Sequence, residues 1–326
     1  MLDSTPETSK QSPTVDSSVK HFSYHGKGTE LGLLILKNIF LTLITLGIYY
    51  PWGKTAVRKY LWSHSSFDGH RFEYTGTGEE IFVGYLKALG VYFIYFVLTT
   101  MTQSIPELNI IVSLLFLIFI GILFPYLIFG SHRYKMSRTK LRGIPFRVDV
   151  AKQNDFVLEC YRGVFLSGIT LGIYAPVFYF KIHKGLVNAS RYGNKEFFQK
   201  ALTKTDWVIS ITNFFGIIFS FYLFTPWAIV RKMKYRLSHI HIDKGTLQTT
   251  MTGLGLAGVL LVSVLATVLT FGLAAPWITT MITAYSLKNL SLVGSINFDE
   301  IERASSAGSA TGDAGADFMD IDAGVF

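Results

Sequence analysis

Four pairs of polar residues are candidates for a functional site, because in each pair an acid precedes a basic or amide residue by seven positions. The pairs are Glu30 with Lys37, Glu80 with Lys87, Asp155 with Arg162, and Asp206 with Asn213. Seven residues are two helical turns, so both members of a pair share one helix face. Each acid stands near a predicted helix start, where the helix dipole favours negative charge. A further carboxylate, Glu159, precedes Arg162 by three residues.

These ionisable groups lie in or near apolar segments, where charges are costly and suggest a function such as a polar pathway for a transported solute. The alternative is structural. Each basic residue lies about two turns into its helix, shallow enough to snorkel to the membrane surface or to pair with its own acid. Glu159 and Arg162 could pair directly, since residues three apart face each other on a helix. The structural interpretation is the favoured one.

Other chemical patterns are weaker. The stretch "YTGTG" at 74–78 places glycines before a helix start, as phosphate-binding loops do, but Glu80 follows and would repel phosphate. The stretch "HIH" at 239–241 could ligate a metal, yet no Cys or HxxxH motif accompanies it. The sequence contains no Ser–His–Asp order and no HExxH motif. We therefore predict a protein that is not an enzyme and has no cofactor and no metal.

Long apolar runs must position these groups. Hydrophobic residues make up 50% of the 326-residue chain and charged residues only 16%, against about 25% charged in soluble domains. Six runs stand out: Leu31–Pro51, Ile81–Thr100, Asn109–Gly130, Phe156–Phe180, Trp207–Val230 and Gly253–Ile282. Each has about 20 residues or more, enough to cross a hydrocarbon core about 30 Å thick. The runs predict an all-α integral membrane protein.

A recurring break interrupts the apolar pattern. It is centred on five prolines, spaced 74, 51, 50 and 50 residues apart: Pro51, Pro125, Pro176, Pro226 and Pro276. A period of about 50 residues indicates an internal repeat. A glycine such as Gly47 or Gly172 can end one helix in the left-handed conformation, and proline can begin the next. A proline kink within one continuous helix is the alternative, and the break is favoured.

Three of the breaks carry a Pro–Trp pair, with Trp52, Trp227 and Trp277. Tryptophan at such a position is typical of a membrane–water interface. A basic amphipathic stretch follows each break, and it is least basic after the fifth. Six of its cations are predicted to contact anionic lipid headgroups: Arg58, Lys59, Arg133, Lys135, Arg231 and Lys232. The net charge of +8 therefore indicates a membrane surface rather than a nucleic-acid partner.

Short β-like segments follow most of the basic stretches. The clearest is "FDGHRFEY" at 67–74, where Asp–Gly predicts a tight turn. The predicted membrane domain, residues 21–300, thus consists of about five repeats of helix, break and helix, with short β-like segments on the cytoplasmic face. The unit boundaries are predicted near 21–70, 71–145, 146–196, 197–241 and 242–300, and residues 1–20 and 301–326 are predicted to be disordered tails.

The charge distribution does not suit six single crossings. With the N-terminus outside, the Lys-rich and Arg-rich segment Lys181–Lys204 would also face outside, against the positive-inside rule. The second unit holds extra residues that make a full hairpin from Glu79–Thr100 and Asn109–Gly130. If Pro125 returns to the basic side, the other units become re-entrant hairpins, which need tight packing within the protein. Six crossings and re-entrant hairpins both remain open.

Three stretches carry a resemblance to a known family. They are "ITLGIYYPW" at 44–52, "RKYLWSHSSFDGHRFEYTGTGEEIFVGYLKAL" at 58–89 and "FGSHRYKMSRTKLRGIPF" at 129–146. They resemble the YjgN family of bacterial inner-membrane proteins, and the similarity extends from about Phe22 to Phe298. The family has no assigned function. The resemblance therefore implies a multi-pass inner-membrane location, with no catalytic or ligand residues.

Two functional classes follow. The first is a membrane-organising or scaffold protein whose repeats present a basic lipid-facing surface on the cytoplasmic side, with anionic lipids and a homo-oligomer as its expected partners. The second is a channel or transporter, with pathway residues among Lys37, Lys87, Glu159, Arg162 and Asn213. The scarcity of deep charges favours the first class.

Overall fold

The computed structural model describes residues 19–200, 202–296, 298, 300 and 301. The strands are β1 Val19–Tyr24, β2 Ser65–Phe67, β3 His70–Tyr74, β4 Thr139–Leu141, β5 Ile144–Val148, β6 Ser190–Tyr192, β7 Lys195–Gln199, β8 Ile240–Ile242, β9 Gly245–Thr249 and β10 Leu290–Val293. The helices are α1 Gly28–Ile44, α2 Tyr50–Ser63, α3 Gly78–Thr102, α4 Pro106–Ser137, α5 Gln153–Ile169, α6 Ala175–Ala189, α7 Thr203–Phe219, α8 Thr225–Leu237, α9 Gly253–Leu269 and α10 Ala275–Lys288. A short 3₁₀ turn, Val150–Lys152, precedes α5.

The elements follow a regular order along the chain. Strand, helix, helix and strand recur in five successive segments, from β1–β2 to β9–β10. We call these segments units 1 to 5, and we call the helices of each unit its first and second helix. Apart from β1 residues Val19 and Lys20 and the buried Ile301, the predicted disordered tails lie outside the described residues.

The ten strands form one closed antiparallel barrel. Each strand pairs with its neighbours along the chain, and β1 pairs with both β2 and β10. Tight turns with positive φ join the units, as at Asp68 (φ 51°) with Gly69 (φ 81°). Because neighbouring strands are antiparallel, these turns lie at one end of the barrel. All five helix pairs leave from, and return to, the other end.

The all-α fold predicted from the sequence is therefore wrong. The predicted β-like segments are short, and a lone pair of such strands is marginally stable at best. They become a stable sheet because strands from all five units close a ring, with β1 and β10 pairing at Val19 and Val293. A closed barrel leaves no unpaired edge. Local patterns could not reveal a pairing between the two ends of the chain.

The six apolar runs do not form six helices of membrane-spanning length. Within the described residues, only α3 and α4 are long and apolar enough to cross a membrane. The other four apolar runs are each divided between a first and a second helix. The first helices of units 1, 3, 4 and 5 are 17 residues long, about 25 Å at 1.5 Å per residue.

Chain reversals divide these runs. In unit 1, Leu46 (φ 50°) and Gly47 (φ 94°) are left-handed, and the Gly47 N–H donates to the Thr42 carbonyl at 2.7 Å. Gly172 and Gly272 occupy the same position in units 3 and 5, and Phe221 and Tyr222 take left-handed angles in unit 4. Pro51, Pro176, Pro226 and Pro276 each stand within the first two residues of the second helix. These positions suit proline because the first N–H groups of a helix have no partner within it.

Unit 2 differs from this pattern. Pro125, expected at a break, lies inside the continuous helix α4, and the chain reverses instead between Thr102 and Pro106. Both helices of this unit are longer than their counterparts, with 25 residues in α3 and 32 in α4. Unit 2 therefore projects farther from the barrel than the other four units.

Apolar side chains fill the barrel. Directly paired strand residues meet in one core cluster, one pair from each unit: Phe22 with Phe67, Phe72 with Leu141, Phe146 with Tyr192, Phe197 with Ile242, and Leu247 with Leu292. Successive rings of Phe22, Phe72, Phe146 and Phe197 lie 6.4, 6.5 and 6.4 Å apart. Such distances are typical of favourable aromatic pairs.

The C-terminal segment completes this core at the turn end of the barrel. Ile301 is fully buried, and the Phe298 ring lies 6.1 Å from that of Phe67. The Arg142 guanidinium, in the turn after β4, lies over the Phe298 ring at 5.1 Å. Hydrogen bonds from Lys195 to Glu300 and Asp243 raise the pKa of this lysine.

Candidate membrane interface

The helical layer exposes a large apolar surface. On α1, for example, Leu36, Phe40 and Leu43 are each more than 60% exposed. Contiguous apolar surface on this scale is unfavourable in water and marks a site of association with lipid or protein. The barrel, whose apolar side chains face inward, is the opposite kind of surface.

The most exposed apolar side chains lie at the chain reversals. Leu46 is 93% exposed, Leu171 94%, Phe221 88% and Phe271 97%. All four have left-handed backbone angles, which cost an L-residue roughly 1–2 kcal/mol. We call these four residues the apolar tips. They can enter an acyl-chain layer without burying any unpaired charge.

A tyrosine on the second helix binds the start of the first helix in the same unit. The Tyr60 hydroxyl accepts from the Lys27 N–H at 2.8 Å and donates to its carbonyl at 3.0 Å. Tyr235 makes the same two contacts with Leu202, at 2.9 and 3.1 Å. Tyr285 donates to the Thr252 carbonyl at 3.4 Å. Each tyrosine stands nine residues after the proline of its unit, a signal that the sequence analysis missed.

The predicted interfacial tryptophans pack between units. Trp52 lies against Gly78 at the start of α3, Trp227 against Gly253 at the start of α9, and Trp277 against Gly28 at the start of α1. The last contact joins unit 5 to unit 1 and closes the helical layer, where α10 also packs along α1. A side chain larger than hydrogen at these glycines would collide with the indole ring.

Together these contacts place the second helices. In units 1, 4 and 5, the second helix contacts the starts of two first helices. Its tyrosine binds the start of the first helix in its own unit, and its tryptophan packs on the start of the first helix in the next unit. It therefore lies along the rim of the barrel. A basic helix in this position can present its cations to lipid headgroups.

The predicted headgroup residues all lie on these rim helices or on the last turns of α4. Lys59, Lys135 and Arg231 are exposed, whereas Arg58, Arg133 and Lys232 are partly buried. Arg58 donates to the Tyr74 hydroxyl at 3.1 Å, and Arg231 to Thr212 Oγ1 at 3.1 Å. Burial and the nearby charge of Arg236 lower the pKa of Lys232.

Glu30, Glu80 and Asp206 pair with partners other than those at the seven-residue spacing. Glu30 contacts Lys27 at 3.3 Å, and hydrogen bonds from Lys27 and Tyr60 lower its pKa. Glu80 pairs with Arg138 at 2.6 Å and Glu159 with Lys181 at 2.6 Å. Lys181 lies on the second helix α6, and Arg138 directly follows the second helix α4. Lys37, Lys87 and Arg162 are exposed on their helices.

One ion pair is buried. Asp206 is fully buried, and Arg236 binds both of its carboxylate oxygens, at 2.7 and 2.9 Å. The guanidinium lies 5.1 Å from the Tyr179 ring and 5.4 Å from the Phe180 ring of unit 3. Such stacking is favourable for Arg. The pair thus joins α7 and α8 to the neighbouring unit, and Arg236 was not identified from the sequence.

Asn213 has a structural role as well. It is buried and donates to the Ala228 carbonyl at 2.9 Å, close to the start of α8. Asn38 makes the equivalent bond to the Gly53 carbonyl at 3.2 Å. Both asparagines stand thirteen residues before the proline of their unit. The spacing to the proline therefore identifies Asn38 and Asn213 as equivalent residues. The seven-residue spacing from the acids instead matches Asn213 with Lys37.

An exposed apolar helical layer on a closed, basic-rimmed barrel defines a membrane-associated protein. The profile of a family described as bacterial proteins of unknown function (DUF898) matches residues 19–211 and 237–318. The chain belongs to this family, which confirms the resemblance found in the sequence. No solved structure matches the chain.

Curated relatives give the location. The chain is 33% identical over 125 residues to the inner membrane protein YjgN of Escherichia coli K12, covering 38% of this chain and 30% of the relative. It is 32% identical over 123 residues to the YjgN protein of Salmonella typhimurium, with the same coverage. The match thus spans less than a third of the length of these relatives. Their names support an inner-membrane location for this chain.

The tryptophan–glycine contacts can be tested within one helix. Gly253→Ala should destabilise the fold by about 1–3 kcal/mol, because the added Cβ collides with Trp227. Gly258→Ala, also in α9, has no atom within 4 Å of the new Cβ and should be neutral or stabilising by up to ~1 kcal/mol. Denaturant unfolding in detergent micelles measures both. Equal stabilities would contradict the contact.

The buried ion pair makes a second prediction. Asp206→Asn keeps the shape of the side chain but leaves the Arg236 charge buried without a carboxylate, which should cost about 3–5 kcal/mol. Glu196→Gln is the control, because Glu196 pairs with Lys152 at the surface and should change stability by only about 0–1 kcal/mol. The same unfolding experiment compares them, and similar losses in both variants would refute a structural role for the buried pair.

Proposed function

We propose that this protein is a non-enzymatic organiser of the inner membrane that inserts mainly into the leaflet facing its barrel. The four apolar tips carry the proposal, because nearly complete exposure of Leu46, Leu171, Phe221 and Phe271 has no benefit in water. The rim helices would lie among the headgroups of that leaflet. The barrel would lie in the cytoplasm.

The dimensions support shallow insertion of four units. A first helix of 17 residues measures about 25 Å, already less than the hydrocarbon core of about 30 Å. Its lower part packs against the second helix as far as the contact between Asn38 and Gly53. Only the turn and a half beyond Asn38, with the reversal at Gly47, projects freely. That depth, about 10 Å, is typical of interfacial insertion.

Unit 2 would anchor the protein across the membrane. The 25 residues of α3 span about 37 Å, and α4 is longer still. Their connection near Ser104 would therefore reach the periplasm. One spanning hairpin and four shallow ones also satisfy the positive-inside rule, because Lys181–Lys204 then lies on the same side as the other basic segments.

The basic rim supports contact with anionic lipids. Cations such as Lys59 and Arg231 are exposed on it, and each contributes roughly 1 kcal/mol near a negatively charged surface. Insertion of four apolar tips into one leaflet would expand that leaflet relative to the other and favour curvature. We further propose that the five units are copies of one internal repeat, since their element order and their tyrosine and tryptophan contacts recur.

The alternative from the sequence, a channel or transporter, lacks comparable support. Its suggested pathway residues do not come together: Glu159 pairs with Lys181, Asn213 bonds to Ala228, and Arg162 is exposed. The barrel interior holds the aromatic and aliphatic side chains of all five units. These apolar groups offer no lining for a polar solute.

Cysteine labelling tests the topology. In a Cys160→Ala background, Ser104→Cys should react with a membrane-impermeant maleimide added outside spheroplasts, because the unit 2 connection reaches the periplasm. Leu171→Cys, at the reversal of unit 3, should remain unlabelled until the membrane is solubilised. Labelling of Leu171→Cys from outside would show that unit 3 crosses the membrane completely and would contradict the shallow-insertion proposal.

Vesicle remodelling tests the function. Purified protein reconstituted with phosphatidylglycerol-containing vesicles should convert them to smaller or tubular forms, as seen by electron microscopy. Replacing all four apolar tips with serine should abolish this vesicle remodelling, while unit 2 keeps the protein in the bilayer. The control replaces four apolar residues near the barrel that are also about half exposed or more, namely Val19, Val150, Phe198 and Leu202. Loss of remodelling in the control, or its persistence in the tip variant, would refute the proposal.

A further inference from the structure

A cleft of about 430 Å³ opens between α2 and the two long helices of unit 2. Its wall is apolar and is formed by residues of α3 and α4: Val91, Phe116, Ile120, Leu123 and Leu127. At its barrel end the lining changes to the cations Arg58 and Lys135 with the hydroxyls of Ser131 and Tyr134, and Lys87 lies about two turns into α3 beside the wall. The volume lies within the range of about 300–1,000 Å³ that is typical of small-molecule sites.

The polar end of the cleft is positively charged. Lys54 and Arg58 on α2 lie close together, and the pKa of Lys54 is lowered by its partial burial and by the Arg58 charge. Among the lining residues, Glu80 is the one carboxylate, and it is already bound to Arg138 at 2.6 Å and to the Tyr134 hydroxyl at 2.9 Å. The carboxylate of Glu80 is therefore engaged away from Arg58 and Lys135.

A second cleft, in unit 3, provides a contrast. It is lined by Lys152 and Lys181 together with Asp155, Glu159 and Glu196. Both lysines are paired there, Lys152 with Glu196 at 3.1 Å and Lys181 with Glu159 at 2.6 Å. Positive charge next to a long apolar wall is thus a property of the unit 2 cleft rather than of every unit.

We propose that the unit 2 cleft binds one anionic phospholipid, with its phosphate at Arg58 and Lys135 and an acyl chain along the wall of α3 and α4. The inference rests on the proposed function only in that α3 and α4 must lie in the bilayer. A lipid, rather than a soluble anion, fits because the wall belongs to the two helices that can cross a membrane. Charge at one end and apolar surface along the rest match the two parts of a phospholipid.

Native mass spectrometry of the full-length protein, released from nanodiscs, tests this site. The probes are phosphatidylglycerol and phosphatidylcholine of equal chain length. The wild type should retain one phosphatidylglycerol molecule and little phosphatidylcholine. Arg58→Gln with Lys135→Gln should weaken retention by about 10-fold to 30-fold, because two headgroup cations are lost. Arg71→Gln with Lys244→Gln removes the same charge from exposed positions on the barrel, outside the cleft and away from the rim, and should have no effect.

A second variant separates the acyl chain from the headgroup. Ile120→Trp fills the apolar wall without changing charge and should also reduce retention. Inorganic phosphate, added to the wild type as a competitor, should not displace the lipid. Displacement by phosphate alone, or full retention by Ile120→Trp, would show a simple anion site and overturn the proposal.

The two proposals can fail separately. Equal retention of both lipids by a protein that still remodels vesicles would overturn the lipid site and leave the proposed function intact. Selective, Arg58-dependent retention by a protein that does not remodel vesicles would support the site and count against the membrane-organising function.

Discussion

The pairing of β1 with both β2 and β10 is the constraint on which the rest of the structure depends. Strands of three to six residues bury too little surface to be stable alone. Closure gives each strand two hydrogen-bonded neighbours and removes every exposed edge. It also directs all five helix pairs to one end of the barrel, which makes a single exposed apolar surface out of units that are distant along the chain.

Side-chain contacts between neighbouring units also close the helical layer into a ring. Trp277 packs on Gly28 as Trp52 does on Gly78, so the last unit meets the first through the contact that joins the first unit to the second. In units 1, 4 and 5, tyrosines such as Tyr60 hold the rim helix to its own first helix through the backbone. These contacts leave the ends of the first helices without neighbours. The apolar tips are therefore exposed because the packing of the units ends below them.

Unit 2 has longer helices than the other units but keeps the same strand pairing in the barrel. Its strands pair in the barrel like the others, and Tyr134 contacts Glu80 near the start of α3. The added length lies beyond the rim, where no other unit constrains it. Pro125 is tolerated inside α4, since neighbouring groups in a membrane helix can compensate for a missing hydrogen bond. The extension creates the long apolar wall of the cleft beside α2.

The sequence by itself determined the local features of this protein. Left-handed glycines such as Gly47, helix-starting prolines such as Pro51, and the Asp–Gly turn at Asp68 follow from the backbone angles that single residues allow. The apolar composition and the motifs shared with the YjgN family pointed to the inner membrane. The tertiary structure alone decided the barrel, the ion-pair partners and the place of the tryptophans. Each of these joins residues whose separation along the chain carries no local signal, such as Val19 with Val293 or Asp206 with Arg236, so each depends on how the elements pack in three dimensions.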